Sequence, residues 1–173
     1  WDINEDSTAS NNFYIVAKPG FENNLSARID DASLINIPFT ADSSSTYRVY
    51  ARLNCPTGNG DSFWVRMENT PFTAKNGLIT RDWEWKLLGE YILTKGDHIF
   101  GITFRENGGK LDKVFVTNFP NKPLSLGDTA LNACEPDTQT VNLPYFTTSS
   151  AYMLEQSYPN PCSEKTSISF HIP

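Results

Sequence analysis

The chain has 173 residues, the size of one ordinary domain with a short appendage. Its 14 Lys+Arg against 20 Asp+Glu give a formal charge of −6, and no basic run supplies the clustered cations that nucleic-acid phosphates or an anionic membrane surface require. No apolar run approaches the roughly 18 residues of a membrane span, and two histidines and three cysteines leave little material for a zinc site or a Ser-His-Asp triad.

The chain opens Trp1-Asp2-Ile3-Asn4 without a signal-peptide pattern and reads as a mature or excised segment. Phe13 to Ala17 and Leu34 to Phe39 are short strand candidates. Thr46 to Leu53 alternates, with Tyr47, Val49, Ala51 and Leu53 on one face and Arg48, Tyr50 and Arg52 on the other. A turn follows at Pro56 to Asp61. Ser62 to Glu68 alternates again, setting Phe63, Val65 and Met67 against Ser62, Trp64 and Arg66. Leu87 to Leu93 is a further candidate, and Lys95-Gly96-Asp97 is a turn. His98, Phe100, Ile102 and Phe104 share a face opposite Ile99, Gly101, Thr103 and Arg105. After the turn Asn107-Gly108-Gly109 comes a short strand, Lys113 to Thr117. No ten-residue segment has helical periodicity. The pattern predicts an all-β protein, an antiparallel β-sandwich of the jelly-roll type, over residues 1–120.

Composition changes after about Pro120. No Lys, Arg or His occurs from Pro123 to Glu164, so 121–150 reads as a linker or as loops draped over the sandwich, and 151–173 as a second small unit. No P-loop or Gly-x-Gly-x-x-Gly stretch occurs. One disulfide with a leftover thiol is open to the three cysteines, and Cys55–Cys134 is the expected pairing.

Several pieces in order carry a resemblance. They are Asp6 to Ile15, Thr46 to Arg52, Asp61-Ser62-Phe63-Trp64-Val65, Trp83-Glu84-Trp85, Leu93 to His98 and Arg105 to Lys113. Together they resemble the jelly-roll carbohydrate-binding modules of families six and thirty-five and their galactose-binding-like relatives. A second stretch, Ser157-Tyr158-Pro159-Asn160-Pro161-Cys162 and then Thr166 to Pro173, is similar to the start of the C-terminal sorting domain of type IX secretion. It departs in having Cys162 where that pattern usually has Phe, and it runs for about one strand. The two resemblances imply a secreted or cell-surface protein whose other domains lie upstream.

Sugar recognition needs a flat ring to cover the C–H face of a pyranose, and planar polar groups to meet its hydroxyls. Trp83 and Trp85 are two apart, so in a strand both leave the same face, and they are flanked by Arg81, Asp82 and Glu84. They are the expected stacking platform, against the alternative that one or both pack under the sandwich edge. The resemblance adds Asn118, just past the last strand, as a polar contact and Tyr14 as a second stacking aromatic. Arg105 and Glu106 end a strand and either line the cleft or pair with each other. Trp64 is a further possible platform. The resemblance also implies a structural calcium held by Asp112, although the usual Glu-Ala-Glu of the first strand is absent: either Glu5 or Asp6 substitutes for it, or that strand was trimmed from the fragment.

These readings point to a non-catalytic module of a secreted polysaccharide-degrading enzyme. It would act as a monomer on a plant cell-wall glycan, xylan-like by the family's habits, and would serve a catalytic domain in the same parent chain. Neither nucleic acid nor membrane insertion is expected. Two other classes stay open. One is a small glycoside hydrolase using carboxylates such as Asp30 and Asp31, Asp82 and Glu84, or Glu106 and Asp112. The other is an adhesion or stabilising β-domain of a secreted peptidase or surface protein, in which the tryptophans would be buried.

Overall fold

The computed structural model describes residues 1–20 and 23–129, together with the backbone of Met153–Leu154 and Phe170–His171. The chain divides into two units, Trp1–Pro136 and Asp137–Pro173. None of the described residues is helical, and so no described helix is long and apolar enough to cross a membrane.

The described residues of the first unit form nine strands: β1 (Asp2–Glu5), β2 (Phe13–Val16), β3 (Ile35–Ala41), β4 (Ser45–Asn54), β5 (Phe63–Met67), β6 (Thr73–Lys75), β7 (Glu84–Leu93), β8 (Gly96–Phe104) and β9 (Lys110–Thr117). They form two antiparallel sheets, in the orders β1-β2-β9-β4-β7 and β3-β8-β5-β6. This is the predicted all-β sandwich. The inner faces are those that period two marked in the sequence. Tyr47, Val49, Ala51 and Leu53 of β4 meet Phe63, Val65 and Met67 of β5 and Phe100 and Ile102 of β8 in one buried cluster. Tyr91 of β7 packs edge-on against Phe100, with ring centres 6.2 Å apart. In the second unit, β10 (Met153–Leu154) pairs antiparallel with β11 (Phe170–His171). The Tyr158-Pro159-Asn160-Pro161 motif, like Cys134 and Cys162, lies outside the described residues.

The departures from the sequence reading have local causes. The edge strands β1 and β6 are short and mostly exposed, so neither carries an alternating signal. β8 is a central strand, and the later half of its outer face is covered as well: Thr103 is fully buried, and a Cβ at Gly101 would meet the Arg66 side chain at 3.1 Å, while Ile99 on the same face stays 47% exposed. β3 is an edge strand and holds Pro38, a residue that an edge tolerates because no ladder bond is lost on the free side.

Two β-bulges shape the five-stranded sheet. Between Val49 and Tyr50 of β4 the pairing with β7 shifts by one residue, inserting Leu88, which is fully buried. The neighbouring Gly89 lies under the Tyr91 ring, where a Cβ would come within 2.5 Å of the phenol oxygen. Between Arg52 and Leu53 the pairing with β9 skips Asp112. A bulge of this kind re-aims one side chain, and here it turns the Asp112 carboxylate onto Arg52 and onto the backbone of the β1–β2 loop.

His98 ties the start of β8 to its neighbours. Its Nε2 faces the Thr94 carbonyl at 2.8 Å and its Nδ1 faces the Glu68 carboxylate at 2.6 Å. Both ring nitrogens therefore meet acceptors, which favours the doubly protonated ring. The Thr94 carbonyl first, then Glu68, and the charge of Asp97 raise its pKa above the ordinary 6.5, against the opposing effect of burial. The Phe39 ring covers the imidazole at 5.7 Å without adding charge. A raised folded-state pKa gives stability that is complete below the unfolded value and is lost as pH rises through the folded one. Thermal melts of the parent should therefore fall between pH 6 and pH 8 more steeply than those of His98→Gln. Parallel profiles would show that the imidazolium contributes nothing.

Candidate functional site

Trp83 lies in the turn before β7. The Asp82 carboxylate accepts the Trp83 backbone N–H at 2.8 Å, and Glu84 accepts that of Arg81 at 2.9 Å, so two local hydrogen bonds set the turn. The indole N–H donates to Thr8 Oγ1 at 3.1 Å, from the β1–β2 loop. The ring meets Tyr14 of β2 edge to face, with centres 5.7 Å apart, and the Arg52 guanidinium lies 5.3 Å from its centre. Lys110 Nζ lies 4.8 Å from the Tyr14 ring centre. Both distances are within the range of cation–π attraction. Trp83 and Tyr14 are each half-buried. Asp6 flanks this group, and hydrogen bonds from Thr8 hold its carboxyl below the usual range.

Trp85 is placed differently. It stands on the outer face of β7, opposite Arg52, and is only 7% exposed. Residues 118–129 cross over it. Its indole N–H donates to the Ser125 carbonyl at 3.0 Å, and its ring packs edge-on against Phe115. Gly127, at φ +66°, lies so close that a Cβ there would meet the Trp85 ring at 3.0 Å. Lys113 Nζ donates to the carbonyls of Leu126 and Asp128, and Tyr50 Oη to that of Pro120, which holds this strap down. The expectation that Trp83 and Trp85 share one face of a single strand fails because β7 begins at Glu84, after Trp83.

Arg105 and Glu106 form an ion pair at 2.8 Å at the end of β8, and Arg105 also donates to Ser62 Oγ. Buried Asp61 is close by. Burial, and then the charge of Glu106, raise its carboxyl pKa. Trp64, on the outer face of β5, is half-buried and donates its indole N–H to the Asn24 carbonyl at 3.1 Å. Asn118 is exposed, with its amide nitrogen 3.5 Å from Ser43 Oγ. The register places it opposite Tyr47, while Trp83 continues the line opposite Asn54. They are about 23 Å apart along the sheet at a strand's rise per residue. The structure thus brings together Trp83 and Tyr14, gathers Arg105 and Glu106 at the same end on the other sheet, and leaves Asn118 at the opposite end.

A cavity of about 560 Å³ also opens between β3 and β9, walled chiefly by Ile35, Ile37, Phe39, Val114 and Val116. Its size suits a ligand; its walls are mainly apolar, with Asn11, Asn36, Lys113 and Asp128 among the polar residues that line it. The expected Cys55–Cys134 pairing is not made: Cys55 is a free buried thiol whose pKa burial pushes up to about 12, which disfavours the reactive thiolate.

No protein-family model matches the chain, and none of the curated proteins matches it. Among solved structures it is similar to a family 35 carbohydrate binding module from Clostridium thermocellum, with a TM-score of 0.50 and 14% identity over 66% of this chain and 85% of that one. A GH26-CBM35 β-(1,4)-mannanase from Podospora anserina gives 0.45 and 13%, over 71% of this chain and 28% of that one. A family 35 module from an environmental isolate gives 0.40 and 15%, over 68% and 93%. The first of these likenesses establishes the fold, a jelly-roll sandwich.

The calcium implied by the family resemblance can be tested against Asp112. Calcium takes six to eight oxygens. Both Asp112 oxygens already face donors: Oδ1 accepts the Ser10 backbone N–H at 2.8 Å, and Oδ2 accepts Arg52 Nη1. The adjacent Thr8 carbonyl accepts the same Nη1 at 3.2 Å, and the Asp6 carboxylate is turned to Thr8. Among the described residues no three His, Cys, Asp or Glu are grouped to hold a metal ion. The residues around Asp112 do not fit a calcium ion.

Proposed function

We propose that this sandwich is a non-catalytic carbohydrate-binding module that holds a polysaccharide at the Trp83 end. The observation that carries the reading is the Trp83–Tyr14 pair, two half-buried rings in edge contact, with Trp83 held by its indole hydrogen bond to Thr8 and by Arg52, Tyr14 by Lys110, and the carboxylates of Asp6 and Asp82 beside them. Rings of that kind offer apolar area to a pyranose face without losing side-chain freedom on binding. The likeness in fold to family 35 modules supports the reading. A xylan-like β-glycan is the proposed ligand. Arg105 and Glu106 are proposed as polar contacts on the other sheet, and Trp64 as a second platform. Asn118 is too far along the sheet to join the Trp83 site and would serve only a separate contact. The module would be secreted and would raise local substrate concentration for a catalytic domain in the same parent chain.

The adhesion or stabilising-domain reading is favoured by one observation: three of the four tryptophan indoles donate to backbone carbonyls within the fold, at Ser33, Asn24 and Ser125. Affinity electrophoresis of the whole chain through gels containing xylan, mannan or mixed-linkage glucan separates the two. Retardation on at least one polysaccharide supports the module, and free migration on all of them supports the alternative. Truncation at Ser150 should leave any retardation unchanged, because the residues proposed for binding lie in the first unit. A tenfold loss of affinity would place part of the site beyond Ser150.

A further inference from the structure

We propose that the Arg52 guanidinium is the built-in cation of this fold, doing at Asp112 what a bound metal ion would do and setting the position of Trp83. The second half of this rests on the reading of Trp83 as part of a sugar site.

The argument begins with the bulge in β9. Skipping Asp112 in the β4–β9 pairing directs its carboxylate to the outer face, where it is completely buried. A buried carboxylate needs a counter-charge and filled acceptor sites. Arg52 supplies the charge from β4, next to the bulge, with its side chain only 8% exposed. The same Nη1 reaches the Thr8 carbonyl, while Ser10 donates its N–H to the other carboxylate oxygen. Two points of the β1–β2 loop are thereby fixed to β4 and β9. Cross-linking a loop carbonyl and a buried carboxylate through one positive centre is the work of a structural cation. A guanidinium does it without any exchange with solvent.

The guanidinium also lies under the Trp83 ring, and Thr8, whose carbonyl it holds, takes the Trp83 indole N–H on its hydroxyl. Arg52 therefore positions Trp83 by two routes, directly under the ring and through Thr8. It is a positioning residue: its shielding by Trp83, Thr8 and Asp112 leaves it no route to a ligand.

The test uses the whole chain with calcium chloride or with EDTA, and two variants, Arg52→Met and the double variant Arg52→Met/Asp112→Leu. The parent should melt at the same temperature in both solutions. Arg52→Met strands a buried carboxylate and should melt about 10 °C lower. The double variant replaces the pair by apolar groups and should regain most of that loss, which keeps the test readable if the single variant fails to fold. Its Trp83 indole N–H signal in ¹⁵N-correlated NMR, assigned with Trp83→Phe, should nonetheless shift while those of Trp1 and Trp64 hold. Its affinity for a polysaccharide that the parent binds should fall at least tenfold. A parent melting temperature lowered by EDTA would overturn the proposal in favour of a metal. So would a double variant with unshifted Trp83 signal and parental affinity. If the parent binds no polysaccharide, the sugar-site reading fails, and the melts and the indole signal still decide the role of Arg52.

Discussion

Trp83→Ala should abolish retardation on every polysaccharide that the parent chain binds, while leaving its melting temperature within a few degrees. Trp83 is half-buried and lies in a turn outside the core cluster, so the fold gives up little more than its contacts with Tyr14, Arg52 and Thr8. The binding loss should be on the order of 2–4 kcal/mol, as for other truncated aromatic anchors, which is at least thirtyfold in Kd. Isothermal titration with a soluble oligosaccharide would measure it. Trp85→Ala should behave in the opposite way. Its ring is packed under the 118–129 strap, so truncation should lower stability by about 3–5 kcal/mol, with sugar affinity preserved in the molecules that remain folded. If Trp85→Ala binds poorly below its melting transition and Trp83→Ala binds normally, the two roles are reversed.

Phe100→Ala should be among the most damaging single changes to the fold. Phe100 is fully buried on β8, one of the two inner strands of the four-stranded sheet, and meets Tyr91 of the opposite sheet. Its loss opens a cavity between the sheets and should cost about 3–5 kcal/mol, a large share of the stability of a domain of this size. Urea denaturation would register it as a lower midpoint. Ile99→Ala on the same strand is the control. Ile99 is 47% exposed, and its truncation should cost about 0.5 kcal/mol or less. Equal midpoints for the two variants would mean that the core does not lie between these sheets.

The core was legible because its signal is local. Period two in β4, β5 and β8 marks the inward residues whatever the topology, and Tyr47 to Leu53, Phe63 to Met67 and Phe100 to Phe104 all fall where alternation put them. The site was less legible because it depends on events that alternation does not record. Pairing Trp83 with Trp85 assumed one continuous strand, and the turn that Asp82 and Glu84 set separates them. Asp112 was visible as an acidic residue beside a strand. Whether it faces a metal or an arginine depends on a one-residue skip in the β9 register, which no sequence period reveals. Arg52 was correctly read on the outer face of β4, but its partners are 60 residues away at Asp112 and 44 away at Thr8. The strap over Trp85 is held largely by backbone carbonyls accepting from Trp85, Lys113 and Tyr50. Carbonyls are present at every residue, so composition gives no hint of which ones are used.

The most direct test of the proposed sugar site is an NMR titration of the four tryptophan indole N–H signals with xylan-derived oligosaccharides, extended to mannan and glucan fragments. Trp83 borders the proposed site, whereas the indoles of Trp1 and Trp85 are tied to carbonyls inside the fold. The account predicts that the Trp83 signal moves progressively with ligand and saturates, while those of Trp1 and Trp85 stay in place. A stationary Trp83 signal, with every fragment or while the Trp64 signal alone moves, would contradict it.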